Sequence, residues 1–249
     1  MSFRAYMSEA RYVKHAFTSV GKVVEEAPLI VNDEGIFSRA MDASHIAMAV
    51  LKMPDTMFEE YEAPGEELVY GLDMEEVTRI MRRARVTEEI ELAGEDESEL
   101  IIRITRSGYT REFRIRSLDI PDIPDEPQLD FPVEVITTPE FIEDAVRDAE
   151  LFSDTVKFHA EEGEFYMLAE GERGKAKPTA TGEALLGIDV EEPAECAYPL
   201  DYLKDMLDAA KGAESVIIRF GTDQPLQLTF KIGPAGEGTL TFYLAPRTE

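Results

Sequence analysis

Apolar residues recur at helical spacing in four stretches of the chain and alternate with polar residues through much of the rest. At 100° per residue, Ala10, Val13, Ala16, Phe17 and Val20 fall on one stripe over residues 9–21. Val77, Ile80, Met81 and Ala84 form a second over 74–85, and Phe141, Ile142, Ala145, Val146 and Ala149 a third over 140–150. Leu203, Met206, Leu207 and Ala210 form a fourth over 201–212. The spacing predicts four amphipathic helices. Between them lie short alternating segments typical of antiparallel strands, including 36–40, 46–51, 100–105, 112–116, 165–169 and 226–232. Turn residues at 32–35, 107–108, 162–163 and 234–238 punctuate these strands.

The pattern occurs twice. Tyr70, Leu72 and Asp73 open the second helix, and Tyr198, Leu200 and Asp201 open the fourth at an offset of 128. At an offset of 129, Tyr12, Val13, Ala16, Phe17 and Val20 match Phe141, Ile142, Ala145, Val146 and Ala149. Two helix patterns kept in order at nearly one offset point to a duplication, each half reading as two helices and about eight or nine strands. The expected organisation is a first domain over 1–116, a connector over 117–131 and a second domain over 132–249. Three prolines and five acids between 117 and 130 forbid a helix or a central strand there. Leu118, Ile120, Ile123 and Leu129 are unusual in a mere spacer and are first read as pins holding the connector to the domain surface.

Composition narrows the class. No apolar run approaches the roughly 18 residues that span a bilayer, and the N-terminus does not resemble a signal peptide. One cysteine, Cys196, excludes an intramolecular disulfide framework and suits a reducing cytosol, and with only three histidines it disfavours a zinc site. The 52 acids against 25 bases leave a formal net charge of −27. Taken alone, that argues against nucleic acid and for a basic partner or a very soluble surface.

The helices change that picture. Arg11, Lys14 and Lys22 point away from the first apolar stripe; Arg79, Arg82 and Arg83 point away from the second, with Arg85 near its edge. Arg147 lies opposite the third stripe, and Lys204 and Lys211 stack seven apart beside the fourth. Long bases on one helix are ordinarily solvated residues. Strongly basic backs on the first two helices of so acidic a protein suit a polyanion held through its backbone charge rather than its bases. The third helix differs, because Glu140, Glu143, Asp144, Asp148 and Glu150 surround Arg147. Its acids are expected to face the arginine-rich second helix of a neighbouring subunit, pairing Glu143, Asp144 and Asp148 with residues such as Arg83 and Arg85.

Residues 33–46, with Met41, Asp42, Ser44, His45 and Ile46, resemble the first-domain signature of the sliding clamps of archaea and eukaryotes, the proliferating cell nuclear antigen family. Residues 220–228 and 240–247 resemble its second-domain and C-terminal motifs, and 202–206 fits its last helix. The resemblance spans essentially the whole chain. It implies an α+β fold of two duplicated clamp domains, each with two helices packed on antiparallel sheets. Three subunits, identical or related, would form a ring whose helices line a hole for duplex DNA. It implies a DNA-replication role without catalysis or cofactor, in the cytoplasm beside the nucleoid if the source is archaeal. The acidic remainder would face outward and discourage external sticking.

The resemblance further implies a groove for short docking motifs of DNA polymerase, flap nuclease, ligase and clamp loader. Carried over by motif, the groove would use Met41, Ser44, His45, Ile46 and Met48, then Pro225, Tyr243, Ala245 and Pro246. From the connector it would take Ile123, Pro124 and Leu129. His45 is read equally as a structural hydrogen-bonding residue. The expected outer edges are 110–116 and 174–181, both basic through Arg111, Arg114, Arg116, Lys175 and Lys177. Like charges there would oppose pairing of identical chains and favour a mixed ring.

Two rivals remain open. An enzyme would need a site, but residues 171–176 lack the spacing and hydroxyl of a phosphate-binding loop. Neither a Gly-x-Ser-x-Gly elbow nor a Gly-x-Gly-x-x-Gly fingerprint is present. The other rival is an acidic scaffold that binds basic proteins and never encircles DNA.

Overall fold

In the computed structural model the described residues are 2–119 and 123–247, so Ile120 lies outside them. The first half runs β1 (Phe3–Met7), α1 (Arg11–Val23), β2 (Glu26–Asn32), β3 (Gly35–Met41), β4 (Ala47–Pro54), β5 (Glu60–Glu62), β6 (Leu68–Asp73), α2 (Met74–Met81), β7 (Glu89–Gly94), β8 (Glu99–Arg106) and β9 (Tyr109–Arg116). The second runs β10 (Val133–Thr137), α3 (Pro139–Glu150), β11 (Thr155–Glu161), β12 (Glu164–Gly171), β13 (Gly174–Ala176), β14 (Thr179–Ala180), β15 (Leu185–Val190), β16 (Ala194–Pro199), α4 (Leu200–Met206), β17 (Ala213–Phe220), β18 (Leu226–Ile232) and β19 (Gly238–Leu244).

The duplication governs the sheets. The first half builds a five-stranded sheet, β5-β1-β7-β8-β9, and a four-stranded one, β4-β3-β2-β6. The second half repeats both orders as β15-β10-β17-β18-β19 and β13-β12-β11-β16, with β14 also on β12. Strand β19 pairs antiparallel with β4 from Thr239↔Lys52 to Leu244↔Ala47, so two of these sheets fuse into one of nine strands. The repeat equivalents of β19 and β4 are β9 and β13. Both are left as unpaired edges.

The apolar stripes bury against the sheets as their periodicity requires, with Val13, Ala16, Val77, Met81, Ile142, Val146, Leu203 and Met206 all inaccessible to solvent. The helices pack into one layer, α1 against α2 and α4, α3 against α4. The buried Ser19 hydroxyl donates to the Met206 carbonyl at 2.9 Å, a direct tie between the halves. No helix among the described residues is long and apolar enough to cross a membrane.

Two helix expectations need correction. The second helix stops at Met81 rather than at 85, although Arg82, Arg83 and Ala84 are good helix formers. Arg83 N bonds to Ile80 O and Ala84 N to Met81 O, so the end tightens into 3₁₀-type turns. The Glu88 carboxylate then takes Arg85 N at 2.8 Å and fixes the chain's exit. The fourth helix is α-helical only through Met206; residues Leu207–Gly212 wind as 3₁₀ helix under α1. Asp73 caps α2 by accepting from Glu75 N and Glu76 N, whereas its repeat equivalent Asp201 already lies inside the first turn of α4.

Candidate nucleic-acid interface and partner groove

Since the apolar stripes face the sheets, the polar backs of the helices form the opposite surface of the layer. Most of the expected DNA-facing bases there are already paired. Lys22 and Lys211 share the Asp208 carboxylate at 2.7 and 2.5 Å, and Lys204 pairs with Glu150. Burial raises the Asp208 carboxyl, but hydrogen bonds from Lys211 and Lys22 outweigh it and leave the group below its usual range. Arg147 lies 3.6 Å from Glu143 and 3.5 Å from Asp144, Arg79 lies 3.2 Å from Glu75 and Arg11 3.8 Å from Glu9. The Lys14 ammonium donates to the Ala84 carbonyl. Arg82 and Arg83 are exposed and make no ion pair among the described residues. Unneutralised positive charge therefore gathers at the turn that ends α2.

That turn sits beside an open edge. Arg111, on β9, donates from Nη2 to the Glu88 carboxylate at 2.6 Å and from Nη1 to the Arg83 carbonyl at 3.0 Å. Glu88 is the one charged residue buried among the described residues, at 5% exposure. Burial pushes its carboxyl up, while the Arg85 amide and the Arg111 guanidinium pull it down, and the net direction is down. Helix α2 packs against β9, and α3 with its acids packs against β13. The repulsion expected between the two basic edges is reduced within the chain, where three of the five bases are paired. Arg111 is paired as above, Arg114 pairs with Glu112 and Glu99, and Lys177 pairs with Glu164 and stands 3.7 Å from the Tyr166 ring centroid. Arg116 and Lys175 make no ion pair among the described residues, so the charge argument for a mixed ring is weakened and rests on these two.

On the outer face of the nine-stranded sheet, one cross-strand row runs Met41, Met48, Tyr243, Gln227, Arg219, Glu134, Asp189. Its apolar end forms a cluster of Met48, Val50 and Tyr243 separate from the main core. A hollow of about 230 Å³ opens above it, lined by Met41, His45, Ile46, Met48, Leu129, Pro225, Tyr243 and Ala245. A second hollow shares Met41 and His45 with the first and takes in Ile123 and Pro124. Ten of the twelve expected groove residues thus meet along two adjoining hollows. Met41 and Leu129 are each 38% exposed, uncovered apolar walls rather than core.

Two expected groove residues lie elsewhere. Ser44 is exposed on the loop outside both hollows. Pro246 lines a different depression, with Lys157, Glu195 and Cys196. The tail alternates its contacts, Ala245 N to Ile46 O and then Arg247 N to Ala197 O, which carries Pro246 across to the second half. For His45, no side-chain hydrogen bond occurs among the described residues, and its backbone adopts φ 57° at the loop's tight turn.

Residues 2–123 match the family model described as "Proliferating cell nuclear antigen, N-terminal domain", and residues 125–247 match its C-terminal domain. The chain belongs to the proliferating cell nuclear antigen family. It is 69% identical over 251 residues to a protein of Methanopyrus kandleri named DNA polymerase sliding clamp, covering 100% of this chain and 99% of that one. Among solved structures it resembles the A. fulgidus family member bound by the C-terminal region of FEN-1, with TM-score 0.88, 27% identity and 99% of each chain covered. It also resembles the PCNA2-PCNA3 complex of Sulfolobus tokodaii, with TM-score 0.89, 25% identity, and 99% and 100% covered. Two tandem clamp domains with four helices on antiparallel sheets are the family architecture, and this chain has it.

Within this family frame, three acids hold these features together: Asp42, part of the resembling motif but given no role there, and Glu126 and Glu88, which sequence reasoning did not single out. Asp42 accepts from the amides of Ser44, Ile46 and Ala47 and from the Tyr202 hydroxyl at 3.0 Å, shaping the loop and bridging it to α4. Glu126 accepts from Tyr243 and Lys52, each at 3.0 Å, and seats the connector. Glu88 anchors the basic turn. All three are acids among 52, and only their spacing to a loop or a buried base distinguishes them.

Proposed function

We propose that this chain is one subunit of a ring that encircles duplex DNA and tethers DNA polymerase and other replication enzymes. The observation that carries this reading is the β19–β4 joint inside the chain. Since β9 and β13 are the repeat equivalents of those strands and lack partners, the same joint can form between copies, head to tail, until a ring closes. Docking β13 of one copy on β9 of the next brings the acids Glu143, Asp144 and Asp148 toward Arg83 and Arg85. Three copies give six clamp domains, 1–116 and 132–249 from each chain joined by 117–131. Three of the five edge bases are paired within the chain, which lowers the repulsion that identical chains would meet at this joint.

The helix layer would line the hole. Arg82 carries most of the attraction to phosphates, Arg83 is shared between phosphates and the neighbouring acids, and the paired lysines and arginines contribute less, so contact is backbone-directed and the ring can slide. The two outer hollows would take a one-turn helix bearing an aliphatic and two aromatic plugs, burying apolar surface at roughly 25 cal/mol per Å² before ordering costs. Flap nuclease, ligase and clamp loader are docking partners of this kind. The chain makes and breaks no bonds in this role, works without a cofactor and acts beside the nucleoid in the cytoplasm.

The test is retention on DNA. Loaded onto a nicked circle by a clamp loader, the protein should stay bound while the circle is intact and leave when it is linearised. The double variant Arg82→Glu, Arg83→Glu should lose retention. Equal binding to circular and linear DNA would favour the external scaffold instead.

A further inference from the structure

The partner groove contains a charge that no described residue pairs with. Arg39 lies on β3, two residues before Met41 and on the same outer face, in register with Val50. It lines the second hollow, about 290 Å³, beside Met41, His45, Ile123 and Pro124. Its Nε is buried without a hydrogen-bond partner, and its guanidinium makes no ion pair among the described residues. Of the other bases on this outer surface, Lys231 lies in the row of Lys52 and Thr239, away from the hollow, and the two nearer the groove are committed. Arg219 is held by Glu134 and Gln227, and Lys52 by Glu126. Two acids line the same hollow: Asp42, whose oxygens are already taken by three amides and the Tyr202 hydroxyl, and the exposed Glu26, which makes no ion pair with Arg39 among the described residues.

We propose that Arg39 is a carboxylate-reading subsite at the β3 end of the partner groove, which pairs with an Asp or Glu side chain in the docking segment of a partner. This rests on the groove reading above and deepens it. A guanidinium presents donors in a planar fork that fits a carboxylate, and charge-assisted bonds of that kind are about twice as strong as neutral ones. An unpaired buried donor carries a standing cost that a bound carboxylate relieves. The wider surface has the opposite preference, since a chain of net charge −27 repels acids. An acid is therefore tolerated at one position of the docking segment, where Arg39 meets it, and disfavoured at the others.

The test uses synthetic peptides carrying one aliphatic and two aromatic plugs, with a single Glu or its Gln twin moved through each flanking position. Binding is read by fluorescence anisotropy on the full chain and on Arg39→Met, with light scattering to check that assembly is unchanged. At one position Glu should bind the wild type about tenfold tighter than Gln, and that preference should vanish in Arg39→Met. Equal binding of Glu and Gln peptides at every position would overturn the subsite and leave the groove standing. A Glu preference that persists in Arg39→Met would overturn it too. If no peptide bound the wild type, the groove reading would fall and the subsite with it.

Discussion

The Tyr243 phenol donates to the Glu126 carboxylate at 3.0 Å, a bond across 117 residues that fastens the connector to the strand joining the two halves. Burial pushes the phenol up to about 12, so it stays a neutral donor at physiological pH. Gln227 donates to the same oxygen at 2.8 Å, and Lys52 reaches Glu126 at 3.0 Å. The groove is thus preformed on one side by a short polar chain and open on the other through Met41 and Leu129.

Replacing Glu126 with alanine should free the connector without touching either open edge. Loss of a hydrogen bond and an ion pair amounts to about 1 kcal/mol, so affinity for a docking peptide should fall about fivefold. Peptide titration checks this, with solution mass unchanged. Equal affinity would mean that the connector does not need this tie.

Glu88→Gln should destabilise the first half. It leaves the Arg111 guanidinium without its carboxylate, at a cost of about 1–3 kcal/mol for a partly buried charge. It should also loosen the Arg82–Arg85 turn, so self-association weakens and DNA retention falls together with the melting midpoint. Glu88→Asp should recover part of both. Thermal melts and light scattering across a dilution series measure the two effects separately.

His15 gives a pH dependence of known sign. Burial lowers its pKa from 6.5 to about 4, with Asp208 pulling the other way and Lys211, Lys14 and Arg11 reinforcing the drop. The unfolded chain then binds a proton that the folded chain refuses as pH falls from 6.5 toward 4. Stability is fully present above 6.5 and declines through that window. The decline between pH 7 and 5 should be shallower in His15→Gln, as read by denaturant midpoints. Parallel declines would place the acid sensitivity in the carboxylates instead.

The sequence revealed elements better than their ends or their partners. The stripes of α1 and α3 are long enough for 3.6-residue periodicity to stand out, and residues 226–232 alternate along the whole of β18. The end of α2 was hidden because Arg82, Arg83 and Ala84 continue both propensity and stripe; a buried carboxylate seven residues beyond Met81 overrides them. The 3₁₀ winding of Leu207–Gly212 answers to packing under α1, which leaves no local mark. The β19–β4 joint pairs residues nearly two hundred positions apart, and register at that distance is set by side-chain packing rather than turn chemistry. The groove candidates that lie within continuous motifs, such as Met41, His45 and Ile46, fall along the two hollows. Pro246 falls outside the hollows because adjacent tail residues face opposite halves, a feature with no mark in the local sequence.

The account stands on β9 and β13 closing a ring of identical chains, and light scattering of the purified protein at moderate salt over a range of concentrations addresses that directly. A species of three times 28.0 kDa, stable on dilution, is the predicted result. A monomer or dimer that persists at every concentration would contradict it.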